Sequence, residues 1–191
     1  VVIRRGVSAA LSPERSPYLP KSFRESLGVE LYVRVWDTEA SLLKDHGDPK
    51  NFEMDSAWRF EAEFRAYDVL RPLFQRNVLG LVEESPSSGV VVFEYEGVEY
   101  ELEVSDEGDN LFIVFADLTN DKETYGGGRF VDVQRPASGS KEVVDFNTSR
   151  NPWCLYSTFT TCAFPTAKNH LPFRVPAGEM LPDKTFHRDA R

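Results

Sequence analysis

The stretch that decides the fold is Val90-Val91-Val92-Phe93-Glu94-Tyr95-Glu96-Gly97-Val98-Glu99-Tyr100-Glu101-Leu102-Glu103-Val104. Val91, Phe93 and Tyr95 point one way, and Glu94 and Glu96 point the other. After Glu96-Gly97, Val98, Tyr100, Leu102 and Val104 alternate with Glu99, Glu101 and Glu103. A period of two is the mark of a strand with one face in the core and one in water. Glu96-Gly97 reads as the hairpin turn, because glycine takes a positive φ without a steric penalty. The glutamate rows are then the solvated side of a strand pair, not a cation site.

The same pattern extends in both directions. Upstream, Trp58, Phe60, Ala62, Phe64 and Ala66 alternate with Arg59, Glu61, Glu63 and Arg65. Val29, Leu31, Val33 and Val35 alternate with Glu30, Tyr32, Arg34 and Trp36, and Val78–Glu84 reads as a strand ended by Ser85-Pro86-Ser87-Ser88-Gly89. Downstream, Leu111–Ala116 is apolar on both faces and reads as a central, covered strand. Arg129–Val133 and Glu142–Asn147 form two more, joined by Gln134–Lys141, and His170–Val175 a short last one. Thr38–Lys44 is the one short helical candidate. Turns recurring about every 8–12 residues with almost no helix signal indicate an all-β fold. The expectation is an antiparallel β-barrel or strongly curved β-sandwich of about eight to nine strands. Residues 1–28, broken by Pro13, Pro17 and Pro20, read as an N-terminal arm in which only Val1–Ile3 suits pairing; 29–180 reads as the barrel domain and 181–191 as a polar tail.

Composition narrows the function. The chain has 191 residues, 22 Lys+Arg against 31 Asp+Glu, and a formal net charge of −9. Phosphate binding needs a basic patch, so nucleic acid is not expected as a partner, nor is an anionic membrane surface. No apolar run reaches the roughly 18 residues of a membrane span. Two cysteines do not make a disulfide scaffold, and a reducing, cytoplasmic setting is expected. Val1 opens the chain, as in a trimmed or processed product.

Two strands break the alternation. Arg129 shares a face with Val131 and Val133, and Asp145 and Asn147 share one with Val143; the opposite faces carry Phe130 with Asp132, and Val144 with Phe146. If Arg129 and Asp145 point inward they must be paired, because a lone buried charge costs several kcal/mol. The alternatives are a structural ion pair and a ligand-orienting one. Before Arg129, Tyr125-Gly126-Gly127-Gly128 reads as a flexible hairpin tip or an anion nest; with no helix following, it is not a dinucleotide fingerprint.

Arg150–Lys168 is a 19-residue stretch without period, yet it holds both cysteines, aromatics and prolines, so it is expected to lie ordered across one end of the barrel. Cys154 and Cys162 have three readings: buried thiols, a disulfide, or metal or catalytic groups. Their spacing is not that of a zinc site, and no metal or cofactor is expected. Of the three histidines, only His170 is near these residues, since His46 sits in a turn and His187 in the tail. A Cys154/His170 nucleophile pair would lack any recognised surrounding signature. Glu123 and Glu179 are alternative acids.

Several motifs occur in order: Asp117-x-Thr119, Thr124-Tyr125-x-x-Gly128-Arg129-Phe130, Asp145-Phe146-Asn147-x-x-x-Asn151-Pro152-x-Cys154, Cys162-x-x-Pro165-x-x-x-Asn169-x-Leu171, and Ala177-Gly178-Glu179. Together they resemble the bacterial and archaeal family DUF1684, over roughly residues 29–180. That family is defined without a function. The resemblance also implies that longer members carry a further N-terminal domain similar to a forkhead-associated sandwich, which this chain is expected to lack. Ser149, Arg150, Trp153, Ala163, Thr166 and His170 depart from the usual pattern, all in the expected site loop.

Two functional readings follow. In the first, the barrel mouth binds a small organic molecule: Arg129, Asn147, Asn151 and Asn169 orient it and Tyr125 and Trp153 flank it, with Asp145 or His170 supporting hydrolysis or acid–base isomerisation. In the second, the chain is a non-catalytic structural or protein-interaction module, and the asparagines satisfy backbone groups of the loop. The first requires a pocket with unoccupied polar tips. The second requires side-chain amides bonded to backbone. Neither fixes an oligomeric state.

Overall fold

A computed structural model describes residues 7–12, 32–37, 49–135, 141–156 and 160–182. The chain forms two units, Val1–Gly47 and Asp48–Arg191. In the first, β1 (Val7–Ser12) pairs antiparallel with β2 (Tyr32–Asp37), Val7 opposite Asp37 and Ser12 opposite Tyr32. The arm thus contributes a strand at 7–12, where sequence alone offered only Val1–Ile3. Val1–Ile3, the helical candidate Thr38–Lys44, His46 and the tail beyond Pro182 lie outside the described residues.

The second unit is all-β and antiparallel. One sheet has the order β5-β4-β3-β9, built from β3 (Arg59–Arg76), β4 (Val82–Tyr95), β5 (Val98–Glu103) and β9 (Lys141–Asp145). The other has the order β6-β7-β8, from β6 (Ser105–Glu107), β7 (Asn110–Phe115) and β8 (Arg129–Gln134). The sheets curl into a half-barrel. The deciding hairpin is β4–β5, with Phe93 opposite Tyr100 and Tyr95 opposite Val98. Its turn takes positive φ at both Glu96 (51°) and Gly97 (77°), the pattern whose twist suits a two-residue hairpin. Val98, read as buried, is exposed at this tip, whereas Glu103, read as exposed, is half-buried.

Alternation builds an aromatic core. Trp58, Phe60, Phe93, Phe115 and Phe146 pack with Leu102, Val104, Leu111, Ile113, Val131 and Val133. Ring pairs such as Phe60–Phe93 at 4.9 Å and Phe115–Phe146 at 5.0 Å sit in the range that aromatic contacts favour. As expected, β7 is central and covered on both sides. Leu111, Ile113 and Phe115 enter the main core, while Val114 joins Phe130 and Cys162 in a second cluster, with Phe112 and Cys154 at its edge.

Three elements differ from the sequence reading. β3 continues to Arg76, and β4 runs back through Ser85–Gly89 instead of ending there. A bulge between Ala66 and Arg71 re-sets the register, and Pro72 faces Pro86. Here β3 and β4 have moved beyond their partners β9 and β5, and strands tolerate proline at such edges. Residues 77–81 form the tip of this ribbon, not the start of a strand. His170–Val175 is not a strand: His170 bridges Ala116, and the backbone then follows residues 116–118 through Leu171 N–H to Ala116 O and Leu118 N–H to Phe173 O. Inside the long loop, Trp153–Tyr156 makes one turn of helix, α1.

Candidate functional site

Arg129 enters the core at the start of β8. Its side chain is fully buried, on the inner face with Val131 and Val133. An Arg there must be paired, and it is, but with Asp117 at 2.8 Å rather than with Asp145. The guanidinium also donates to Val175 O at 2.8 Å and to Ala177 O, above the Phe115 ring. Burial lowers its pKa, and the adjacent Asp117 carboxylate opposes that shift. Asp117 Oδ1 accepts Thr119 N–H at 2.8 Å and Val175 N–H at 3.1 Å. Thr119 and Thr124 join hydroxyls at 2.8 Å, both fully buried, and Asn120 bonds Asp117 N–H and Tyr125 O. The pair therefore ties the end of β7 and the loop before β8 to residues 175–177.

Asp145 has another task. It caps the 3-10 turn Phe146–Thr148 by accepting Asn147 N–H at 3.0 Å, and it lies 3.7 Å from the exposed Arg59. The ambiguous face is settled here: Val144 and Phe146 are buried and Val143 is exposed. Asn147 accepts Asp55 N–H at 3.1 Å and donates to Asp55 O at 2.9 Å, pairing both backbone polar groups of one residue.

Asn169 does the same more completely. Its Oδ1 accepts Glu103 N–H at 2.8 Å, and its Nδ2 donates to Glu103 O and Val114 O, each at 2.9 Å. The residue is 1% exposed, so every polar atom of its amide meets backbone. Its neighbour Thr166 donates to the Glu103 carboxylate at 2.7 Å. Asn151 donates to Met180 O at 2.9 Å and to Tyr156 Oη at 3.1 Å, and its N–H bonds Glu179 at 2.7 Å. Tyr156 donates to the same Glu179 oxygen at 3.2 Å, and burial pushes its hydroxyl up to about 12. Glu123, the other alternative acid, is held by Arg174 at 2.6 Å.

The remaining candidates do not converge. His170 is exposed beside buried Asn169, and Trp153 is 68% exposed on α1. Tyr125 lies over Gly127, and its hydroxyl is 3.9 Å from Cys154 Sγ. The triple glycine is a packed turn: a Cβ on Gly127 would stand 2.4 Å from the Tyr125 ring, and one on Gly128, at φ +90°, 2.6 Å from Phe115 O. Close approach, not tip flexibility or a nest for an anion, explains these glycines. Cys154 and Cys162 are both thiols, and Cys154 N–H donates to Cys162 Sγ at 3.2 Å. Among the described residues, no three His, Cys, Asp or Glu side chains gather as metal ligands, and no helix is long and apolar enough to cross a membrane.

Asp117, Thr119, Asn120, Thr124 and Glu103 carry as much of this network as the candidates named from sequence. Asp117 was legible as part of the motif Asp117-x-Thr119, two residues after the covered strand β7. Glu103 was hidden, because it continues a row of solvated glutamates.

The fold and this network define a half-barrel β domain whose polar motif residues lace loops to strand ends. Residues 47–180 match the family described as "Protein of unknown function (DUF1684)", and the chain belongs to that family. The solution NMR structure of an uncharacterized protein from Haloarcula marismortui is similar, with 26% identity and a TM-score of 0.60. That match covers 72% of this chain and 78% of the archaeal one. No curated protein matches.

Proposed function

We propose that the domain is a non-catalytic interaction module, and that its motif residues brace the scaffold instead of touching a ligand. The observation that carries this reading is the amide of Asn169, buried and bonded on every side to the backbone of Glu103 and Val114. Arg129 likewise donates to the carbonyls of Val175 and Ala177, and Asn147 pairs the backbone N–H and carbonyl of Asp55. Asn169, engaged in this way, has no donor or acceptor left to orient a substrate. The surface for a protein partner is the β3–β4 ribbon, where Phe74, Leu79, Leu81 and Val82 are exposed near the tip and Val69 and Leu70 on the bulge. Apolar side chains grouped on a surface favour association.

The small-molecule reading has two observations in its favour: Arg129 Nε and Asn151 Oδ1 are both buried without a hydrogen-bond partner among the described residues. The test is protein-observed NMR with a library of small polar metabolites. The expected result is that no compound gives saturable shifts at the amides of Glu103, Val175, Ala177 and Asn151. Saturable shifts clustered on those amides would overturn the proposal and restore the ligand site.

A further inference from the structure

We propose that Cys154 and Cys162 form an oxidisable dithiol that hydroperoxides convert to an intramolecular disulfide. The two sulfurs meet in the fold. Cys154 sits on α1, and its own N–H points at Cys162 Sγ from 3.2 Å, while the two thiols also hydrogen-bond each other. Side chains already in thiol–thiol contact need only a small approach to reach disulfide bonding distance. The two differ in access: Cys154 is half-buried and Cys162 is buried with Val114 and Phe130. Contact with Cys154 and burial both push the Cys162 thiol up, and Cys154, the more accessible sulfur, is the one that meets the oxidant. Tyr125 Oη, 3.9 Å from Cys154 Sγ, supplies a hydroxyl on the same side.

The chemistry balances with a hydroperoxide as the sole oxidant. The Cys154 thiolate attacks one peroxide oxygen. An S–O bond forms, the O–O bond breaks, sulfur loses two electrons to oxygen, and the departing hydroxide takes up the proton released by the thiol. The product is a sulfenic acid and one water (an alcohol, for an organic hydroperoxide). Cys162 then attacks that sulfur as its thiolate. The S–S bond forms, the S–O bond breaks, and the oxygen leaves as water with the Cys162 proton. Two thiols and one hydroperoxide yield one disulfide. The bridge joins α1 to the segment bonded to the ribbon tip, because Cys162 O accepts Val78 N–H at 3.1 Å.

The test exposes the full chain, reduced and then freed of reductant, to hydrogen peroxide and reads intact mass, thiol titre and dimedone labelling. The expected product is a monomer lighter by two hydrogens, with its titratable thiols falling from two to none and restored by dithiothreitol. Cys162→Ser is expected to accumulate dimedone-labelled sulfenic acid on Cys154, which the wild type does not retain. Cys154→Ser is expected to keep Cys162 as a thiol under the same exposure. A wild-type chain that keeps both thiols, or that gains oxygen without losing the two hydrogens, would overturn the proposal. So would first labelling at Cys162. The wild-type mass decides the matter even if a serine variant folds poorly.

Discussion

The β4–β5 hairpin and the loop-bearing end around Arg129 belong to one domain but are held by opposite means. In the hairpin, Phe93, Leu102 and Val91 are buried and Glu94, Glu96, Glu99 and Glu101 lie in water, where Arg65 clamps Glu99 with two bonds of 2.8 and 2.7 Å. Around Arg129, the buried groups are an ion pair, two threonines and asparagine amides, and their partners are chiefly backbone. Apolar burial holds strands whose own ladder satisfies their peptides. Irregular backbone has no ladder, so side chains must supply the missing partners. That difference makes the polar end look like an active site in sequence while acting as masonry in the structure.

Substitutions at each end can break this contrast. Arg129→Ala would strand Asp117 in the core and is expected to cost about 3–5 kcal/mol, the scale of a broken buried pair. Chemical denaturation measures it. Arg129→Lys should recover only part of the loss, because one ammonium cannot span Asp117, Val175 O and Ala177 O together. If Lys matches the wild type, the three-way brace is wrong. In the hairpin, Leu102→Ala is expected to cost about 2–5 kcal/mol through lost burial and a cavity. Its loss should not depend on pH between neutral and acid. A smaller effect is expected at Tyr156. Its raised folded value means that the stability it contributes is complete below the ordinary tyrosine value near 10 and is lost as pH rises through about 12. Burial raises Tyr95 as well, so tyrosinate absorbance should lose one late-ionising tyrosine, and not all of them, in Tyr156→Phe; an undiminished late component would reject the assignment. Arg65→Ala should be smallest, within about 1 kcal/mol and weaker still in salt, since the clamp is exposed.

The two ends also differ in how well sequence revealed them. Alternation places side chains without reference to anything distant, so β4, β5, β7 and the half-barrel class could be read directly from Val91–Val104 and Leu111–Ala116. It failed where edge position overrides local chemistry: Ser85-Pro86-Ser87-Ser88-Gly89 looks like a turn but continues β4, opposite Pro72 and Leu73. At the polar end the right residues stood out and their partners did not. Arg129 was read as needing a partner if it points inward, yet Asp117 lies 12 positions away in a loop and Asp145 sat on the more regular-looking strand. Asn169 meets Glu103 across 66 positions, a distance at which no periodicity connects residues.

The central claim is that the motif asparagines hold backbone, and Asn169→Ala tests it most directly. Groups kept for binding are commonly neutral or stabilising when removed, whereas a brace leaves buried partners unsatisfied. Urea unfolding of wild type and Asn169→Ala gives the sign. A loss of about 2–3 kcal/mol at unchanged m-value is expected, because Glu103 N–H, Glu103 O and Val114 O all lose a partner. A variant as stable as the wild type, or more so, would contradict the account.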